Sequence, residues 1–258
     1  MTEDLNDRLF AIALAQGRYT HPLSLAPHHA QVYSQNGEDG IIAEAFRRIG
    51  ATDRTFVEIG VEDGQQNNTR LLLEQGWTGA WVDGNAAMLA AARTTFAAYL
   101  DRGALRIVEG DVRADNVDAL LEGLPDAIDF LSVDIDQNTS HVWRALRRRA
   151  RVACIEYNAA LPASVAIEAP YDPGQRWTGT NWYGASLKAL EQIGAAKGMH
   201  LVGCDLNGVN AFFVDDSLTA GRFQPPFEAA AHHEPIRLAA VRRYGHPPSP
   251  LARAWVAG

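Results

Sequence analysis

Apolar and polar positions alternate along this chain in two different rhythms. Thr55–Ile59, Thr78–Asp83, Leu105–Asp111, Asp129–Asp134 and Arg151–Glu156 are short apolar runs that end in, or lead directly into, glycine or a carboxylate. Runs of this length bounded by turn residues predict buried strands. Thr69–Gln75, Ala86–Leu100, Asn116–Leu121 and Ser140–Arg149 lie between them and read as helices. Strands alternating with helices predict a parallel sheet covered on both faces. Tyr183–Lys197 carries Leu187, Leu190 and Ile193 at helical spacing, with Gly198 as its stop. Two β-rich runs, His200–Asp205 and Val209–Val214, flank an Asn207-Gly208 pair and predict an antiparallel hairpin. The expected fold is therefore α/β, a doubly wound, mostly parallel seven-stranded sheet with an antiparallel closing hairpin.

Outside the sheet the organisation is simple. Leu5–Gln16 and Asp39–Ile49 read as helices separated by a loop at Gly17–Ala30, giving an N-terminal helical cap or lid over residues 1–50. The α/β domain is expected over residues 51–215. Within it, residues 158–182 form an irregular insertion rich in Pro, Gly and aromatics, and loops of that length usually serve a site. Residues 216–258 form a C-terminal tail with a helix-like centre at Ile236–Tyr244. No internal repeat is visible.

The most informative stretch is Phe56-Val-Glu-Ile-Gly-Val-Glu-Asp-Gly64, an apolar strand that breaks into two glycines four residues apart. Strand, glycine turn and helix is how a parallel sheet opens a crevice for a nucleotide-like ligand, the glycines letting the backbone approach it. Asp83 ends the next strand about 20 residues on, where dinucleotide folds place a ribose-binding acid. Asp111, Asp134 and Glu156 end the three strands that follow.

In these features the chain resembles the class I S-adenosylmethionine (SAM)-dependent methyltransferases, and more closely their FkbM-like branch. The resemblance runs from about Tyr33 to Asp215. It rests on Tyr33-Ser-Gln-Asn-Gly-Glu-Asp-Gly40, Phe56–Gly64, Trp77–Asn85, Asp129–Trp143, Ile155–Asn158, Trp177–Leu187 and Gly208–Val214. It resembles a subfamily met in natural-product and surface-glycan gene clusters. The resemblance implies SAM as cofactor, with Gly60 and Gly64 along its methionine part and Glu58 and Asp134 suited to its cationic end. Asp83 would accept from the ribose hydroxyls, and Asp111 with Val112 would meet the adenine. Asp83 and Asp111 have an alternative use as caps of the helices that follow. Glu62 and Asp63 depart from the small or neutral residues usual in this turn. They point outward into solvent, or they mark a pocket for a cation or a differently shaped ligand.

Asp134-Ile-Asp136 and Glu156-Tyr-Asn158 share a two-residue spacing that turns both members of each pair the same way on extended chain. Asp134, Asp136 and Glu156 are the candidate catalytic residues, and the same three are the candidate ligands of Mg²⁺ or another divalent cation. Adding His141 would admit Mn²⁺ or Fe²⁺. Metal-dependent small-molecule O-methyltransferases similarly place acids after these strands, the ion lowering the pKa of a substrate hydroxyl. The alternative is a hydrogen-bonded polar network without metal, and Gln137 stands where the subfamily has Gly. Asn158, Thr180, Asn181 and Tyr183 are the candidate substrate contacts, the last three because they directly precede a helix N-terminus. His28, His29, His232 and His233 read as solvated loop histidines, the first two with a second reading as part of a lid.

Composition narrows the class. At 258 residues with 47% hydrophobic and 21% charged residues the chain is an ordinary globular protein. A net charge of -8 argues against a nucleic-acid partner. No apolar run approaches the ~20 residues that cross a bilayer, and Met1–Arg8 is polar, so no membrane association and a cytoplasmic location are expected. Cys154 and Cys204 lie in strands and read as buried thiols. The expected activity is SAM-dependent O-methyl transfer to a small natural-product or sugar hydroxyl. The alternative is a methyltransferase fold turned to ring closure or elimination, with an amine-bearing substrate in the acid cluster. A third reading is a non-enzymatic scaffold or activating partner; homo- and hetero-oligomers both stay open.

Overall fold

The computed structural model describes residues 5–237 and 256–257. Its centre is a seven-stranded sheet made of β1 Thr55–Ile59, β2 Thr78–Asp83, β3 Leu105–Glu109, β4 Ala127–Val133, β5 Arg149–Glu156, β7 Met199–Cys204 and β8 Asn210–Asp215. A short strand, β6 Ile167–Glu168, pairs with β9 Val256–Ala257 away from the main sheet. The order across the sheet is β3-β2-β1-β4-β5-β8-β7. The first five strands run parallel, and β8 inserts antiparallel between β5 and β7. The sheet order reverses between β1 and β4, and such switch points open a ligand crevice at the carboxyl ends of the strands.

Burial on both faces follows from the alternation within each strand. Val57, Ile59, Leu131, Val133, Ala153, Ile155 and Phe213 pack on one face against α6 Val117–Leu120, α7 Thr139–Ala145 and α8 Leu187–Ala196. Phe56, Phe130, Val152, Cys154 and Phe212 pack on the other against α2 Glu38–Ile49, α3 Arg70–Glu74 and α4 Ala86–Thr95. α2 buries Ile41, Ile42 and Ala45 in that second core, so it is a layer of the fold rather than a detachable lid. The remaining helices are α1 Leu5–Leu14, α5 Ala97–Asp101 and α9 Ala229–His232.

Four expectations shift. The helix expected over Ala86–Leu100 breaks at Phe96, whose ring lies edge-on to Trp81 at 4.7 Å. The helix expected from Tyr183 begins at Leu187, because Ser186 caps it and the backbone of the preceding residues bonds the insertion. Ile236 and Arg237 are not helical, and the rest of the helix expected to Tyr244 lies outside the described residues. His232 is buried, which pushes its pKa down to about 4, and His233 faces the Ala159 carbonyl, so neither is a solvated loop histidine. Both cysteines are buried free thiols. No helix among the described residues is long and apolar enough to cross a membrane.

Candidate active site

The loop after β1 is built around Glu58. This side chain is 3% exposed and accepts from Asn68 N at 2.8 Å, Thr69 N at 2.9 Å and Thr69 Oγ1 at 2.5 Å. Trp81 Nε1 completes the chain by donating to Thr69 Oγ1 at 2.7 Å. Glu58 is thus buried beneath residues 60–69, which its three hydrogen bonds fold back onto the strand, and this corrects its expected place against the ligand. Burial pushes its pKa up to about 7, with the hydrogen bonds from Thr69 and Asn68 opposing and the charge of Asp134 adding to the rise.

That displacement has a sign. An acid whose folded value lies above its unfolded 4.5 favours the folded state at low pH, and the advantage is lost as pH rises from about 4.5 through about 7. The full span is worth about 3 kcal/mol. Melting temperature should therefore fall between pH 5 and pH 8 (roughly the window set by those two values), and Glu58→Gln should flatten part of that slope while lowering stability overall. An unchanged slope in the variant would show that Glu58 does not titrate in this range.

The two glycines serve packing first. A Cβ on Gly60, at φ +88, would lie 1.6 Å from the Asp134 carbonyl oxygen, and one on Gly64, at φ +73, would lie 2.4 Å from the Trp81 ring. The loop's acids are separated by their partners. Asp63 accepts from Gln65 N at 3.0 Å and Gln65 Nε2 at 2.8 Å, closing on its own turn. Glu62 is exposed, sits at φ +52, and its charge raises the pKa of Asp136. Asp83, half-buried, accepts from Glu62 N at 2.8 Å and from Asn85 N at 2.7 Å. It does not cap α4; Asn85 does, accepting from Ala87 N and Met88 N.

Three acids meet at the switch point. Asp134, Asp136 and Glu156 place one carboxylate oxygen each within 4.8 Å of one another. Asp136 reaches the cluster through a left-handed backbone, φ +55, at the start of a 3-10 turn, not through the extended chain that the two-residue spacing implied. Thr139 Oγ1 donates to Glu156 at 3.3 Å. Burial raises all three pKa values: Asp134 up to about 7, with Asp136's charge adding; Asp136 upward; and Glu156 well upward, with both aspartates adding. The Oε1 of Gln137, a side chain 2% exposed, is a buried acceptor with no donor. Arg144, one turn along α7, pairs with the buried Glu168 at 2.8 Å. His141, on α7, bonds the Ala169 carbonyl of the insertion at 2.8 Å and stands apart from the three acids.

The remaining candidates divide. Tyr183 is 7% exposed, and the charges of Glu156, Asp134 and Asp136 reinforce the upward push that burial gives its pKa, so it borders the cluster. Asn158 is fully buried and donates to the carbonyls of Asn181 and Tyr183 at 2.9 and 3.0 Å. Its amide therefore anchors the insertion, a correction to its expected substrate contact. Thr180 and Asn181 are half-buried in that insertion and do not adjoin a helix N-terminus, since α8 starts at Leu187. Val112 is half-buried against the core. Asp111 is engaged by Arg176 Nη2 at 2.5 Å, so the insertion reaches the place expected for adenine. Asn138 and Asp172 exchange two hydrogen bonds, of 2.8 and 3.2 Å, and Tyr171 Oη accepts from Ala114 N at 3.2 Å, which completes this strap. Nothing in the composition of residues 158–182 singled out Arg176. His28 lies 3.4 Å from Glu44, and His29 packs on Phe10, so both are built into the N-terminal segment.

With this geometry in place, comparison with known proteins gives the fold a relative. No protein-family model matches the chain, and no curated protein sequence matches it. Among solved structures, a protein from Staphylococcus aureus assigned as a caffeoyl-CoA O-methyltransferase is 13% identical, with a TM-score of 0.50 over 82% of this chain and 100% of that one. A SAM-dependent methyltransferase from Clostridium acetobutylicum is 10% identical, with a TM-score of 0.45 over 82% of this chain and 99% of that one. The N-terminal domain of EvdMO1, crystallised in the presence of SAH and D-fucose, is 14% identical, with a TM-score of 0.46 over 70% of this chain and 82% of that one. The chain has the class I methyltransferase fold.

Proposed function

We propose that the protein is a SAM-dependent O-methyltransferase acting on a small hydroxylated molecule, a natural product or a sugar. The observation that carries this reading is the arrangement of acids around one crevice. Asp83 stands at the end of β2 beside the loop after β1, and Asp134, Asp136 and Glu156 stand at the ends of β4 and β5. Among the described residues, no Lys or Arg forms an ion pair with these four. A negative crevice suits a cofactor whose reacting end carries a sulfonium and an ammonium. Each Asp83 oxygen has accepted one backbone hydrogen bond and keeps a lone pair for a ribose hydroxyl.

SAM, when bound, supplies a methyl group on a cationic sulfur. The protein's own part is to hold the acceptor hydroxyl and take its proton. Asp134, lifted to about 7, fits a general base near pH 7, and Glu156 beside it, pushed well up by burial and by both aspartates, holds its proton more tightly than a free carboxyl. The same three carboxylates, in no ion pair with a Lys or Arg among the described residues, fit a divalent ion that would orient the hydroxyl. The alternative of non-methylating chemistry draws on one observation, the Arg176 guanidinium already on Asp111. Product mass separates the two: gain of a methylene for transfer, loss of water or another leaving group for elimination or cyclisation.

Calorimetry with SAH tests the cofactor reading directly. Wild type should bind in the micromolar range, and Asp83→Ala should lose about 100-fold in affinity, the worth of two hydrogen bonds to a charged acceptor. Its melting temperature should fall modestly, because the carboxylate also accepts from Glu62 N and Asn85 N, both at the crevice surface where water can replace it. Absence of SAH binding in the wild type, with and without Mg²⁺, would remove the methyltransferase reading.

A further inference from the structure

The insertion at residues 158–182 carries exposed aromatic surface beside the acid cluster. Six large apolar side chains are exposed among the described residues, and three of them, Val165, Tyr171 and Trp177, belong to this one segment. Scattered exposed apolar residues need no explanation, whereas a concentration of them marks a contact surface. Trp177 is the one that joins the crevice. Its ring lies edge-on to Tyr183, with centroids 6.2 Å apart and planes at 72°, and Tyr183 borders Asp134, Asp136 and Glu156. Tyr171 is engaged elsewhere, its ring 5.3 Å from His141 and its hydroxyl on Ala114 N.

Trp177 is held in place yet presents surface, being 38% exposed. Its Nε1 donates to the Thr180 carbonyl at 2.7 Å, which fixes the ring and leaves its carbon surface to meet a ligand. The strap leading to it is fastened across the crevice by the Asn138–Asp172 pair and by Arg176 on Asp111. The residues that follow are polar: Thr178 is exposed, and Thr180 and Asn181 are half-buried. An apolar plate thus stands among hydroxyls and an amide, with three carboxylates beyond it.

That combination selects among acceptors. A phosphorylated or carboxylated molecule would meet like charge at the acids, and the strap's own cation, Arg176, is already held by Asp111. A flat phenol is best served by a pocket that is apolar on most sides, and this one has carboxylates opposite its plate. A pyranose matches both walls. One face of it is C–H bonds, whose positive hydrogens suit the negative face of an aromatic ring, and its rim is hydroxyls that donate to carboxylates.

We propose that Trp177 is the platform for the acceptor, and that the acceptor is an uncharged pyranoside lying on the indole with a ring hydroxyl toward the three acids. The reaction at that hydroxyl rests on the methyltransferase reading; the glycoside site rests on the exposed indole.

Ligand-observed NMR on the full chain tests it, with methyl α-D-glucopyranoside, methyl α-D-galactopyranoside and methyl α-D-mannopyranoside set against glucose 1-phosphate and catechol. At least one methyl glycoside should bind saturably, about tenfold tighter than the phosphate or the phenol, the scale of one aromatic contact. Saturation transfer should be strongest to the C–H groups of one ring face. Trp177→Phe keeps a ring and should hold affinity within about threefold, whereas Trp177→Leu keeps apolar bulk alone and should lose about tenfold. Both variants give up the bond to the Thr180 carbonyl, so their difference reads the ring, and the exposed position lets both fold. Equal affinity in the two variants, preference for glucose 1-phosphate or catechol, or no saturable glycoside binding would overturn the inference. SAH titration of the same samples keeps the two readings apart. SAH bound without any glycoside retains methyl transfer and removes this site; a glycoside bound on the ring without SAH does the reverse.

Discussion

Asp134→Asn and Glu156→Gln should each lower methyl transfer by about 10²–10⁴-fold, the usual worth of a positioned acid or base. Release of SAH across a panel of hydroxylated acceptors is the readout. The same variants should make the protein more stable. Three carboxylates whose nearest oxygens lie within 4.8 Å of one another are held against their own repulsion and desolvation. Replacing one by its neutral isostere relieves both. At pH 8 the melting temperature of Asp134→Asn should therefore rise, by about 2–4 °C for each kcal/mol recovered in a domain of this size. Activity lost together with stability would mean that the cluster is a structural network, and its catalytic role would fall. A divalent ion is separable from this. If one binds, Mg²⁺ or Mn²⁺ should stabilise the wild type by mass action and leave Asp134→Asn unmoved. EDTA should then abolish turnover; full activity in excess EDTA would leave the cluster to hold organic cations.

How much of this was legible in the sequence depends on which distance decides each feature. β1 and β2 are bounded in the structure as their apolar runs and glycine or aspartate ends imply, because a strand ends where the turn residues that follow its apolar run begin. The placement of Asp83, Asp134 and Glu156 at one end of the sheet follows from the same rule. Where their side chains point does not. Glu58 and Asp83 are both carboxylates beside the same loop, yet the path of residues 60–69 takes up Glu58 completely and leaves Asp83 half-exposed. Asn158 looked like a partner of Glu156 on the basis of spacing, but the insertion's carbonyls capture its amide. Arg176 reaches Asp111 across 65 positions of sequence, a contact that only the folded insertion creates. Helix α8 starts late for a related reason: Tyr183–Ser186 has an apolar pattern a helix would accept, but its backbone bonds Asn158, Ala169 and Ile167 instead.

Gly60→Ala should be the most damaging single methyl group added anywhere in the crevice. Both partners in the contact are fixed. Gly60 N donates to Val82 O at 2.9 Å, and Asp134 N donates to Ile59 O at 2.9 Å, so neither the loop nor the end of β4 can retreat without breaking a sheet hydrogen bond. The new Cβ would stand 1.6 Å from the Asp134 carbonyl oxygen, on a backbone at φ +88 that disfavours any side chain. Overpacking costs about 1–3 kcal/mol and the left-handed conformation about 1–2 kcal/mol, so a loss of roughly 2–5 kcal/mol is expected by chemical denaturation. Two controls divide the terms. Gly76→Ala has nearly the same φ, +85, with nothing within 4 Å of its Cβ, and should show the conformational cost alone. Gly17→Ala, with open space and an ordinary backbone, should be close to neutral. If Gly60→Ala proves no worse than Gly76→Ala, the close approach of the glycine loop to Asp134 is wrong. The glycine loop and the acid cluster would then not be in contact through Gly60 and Asp134.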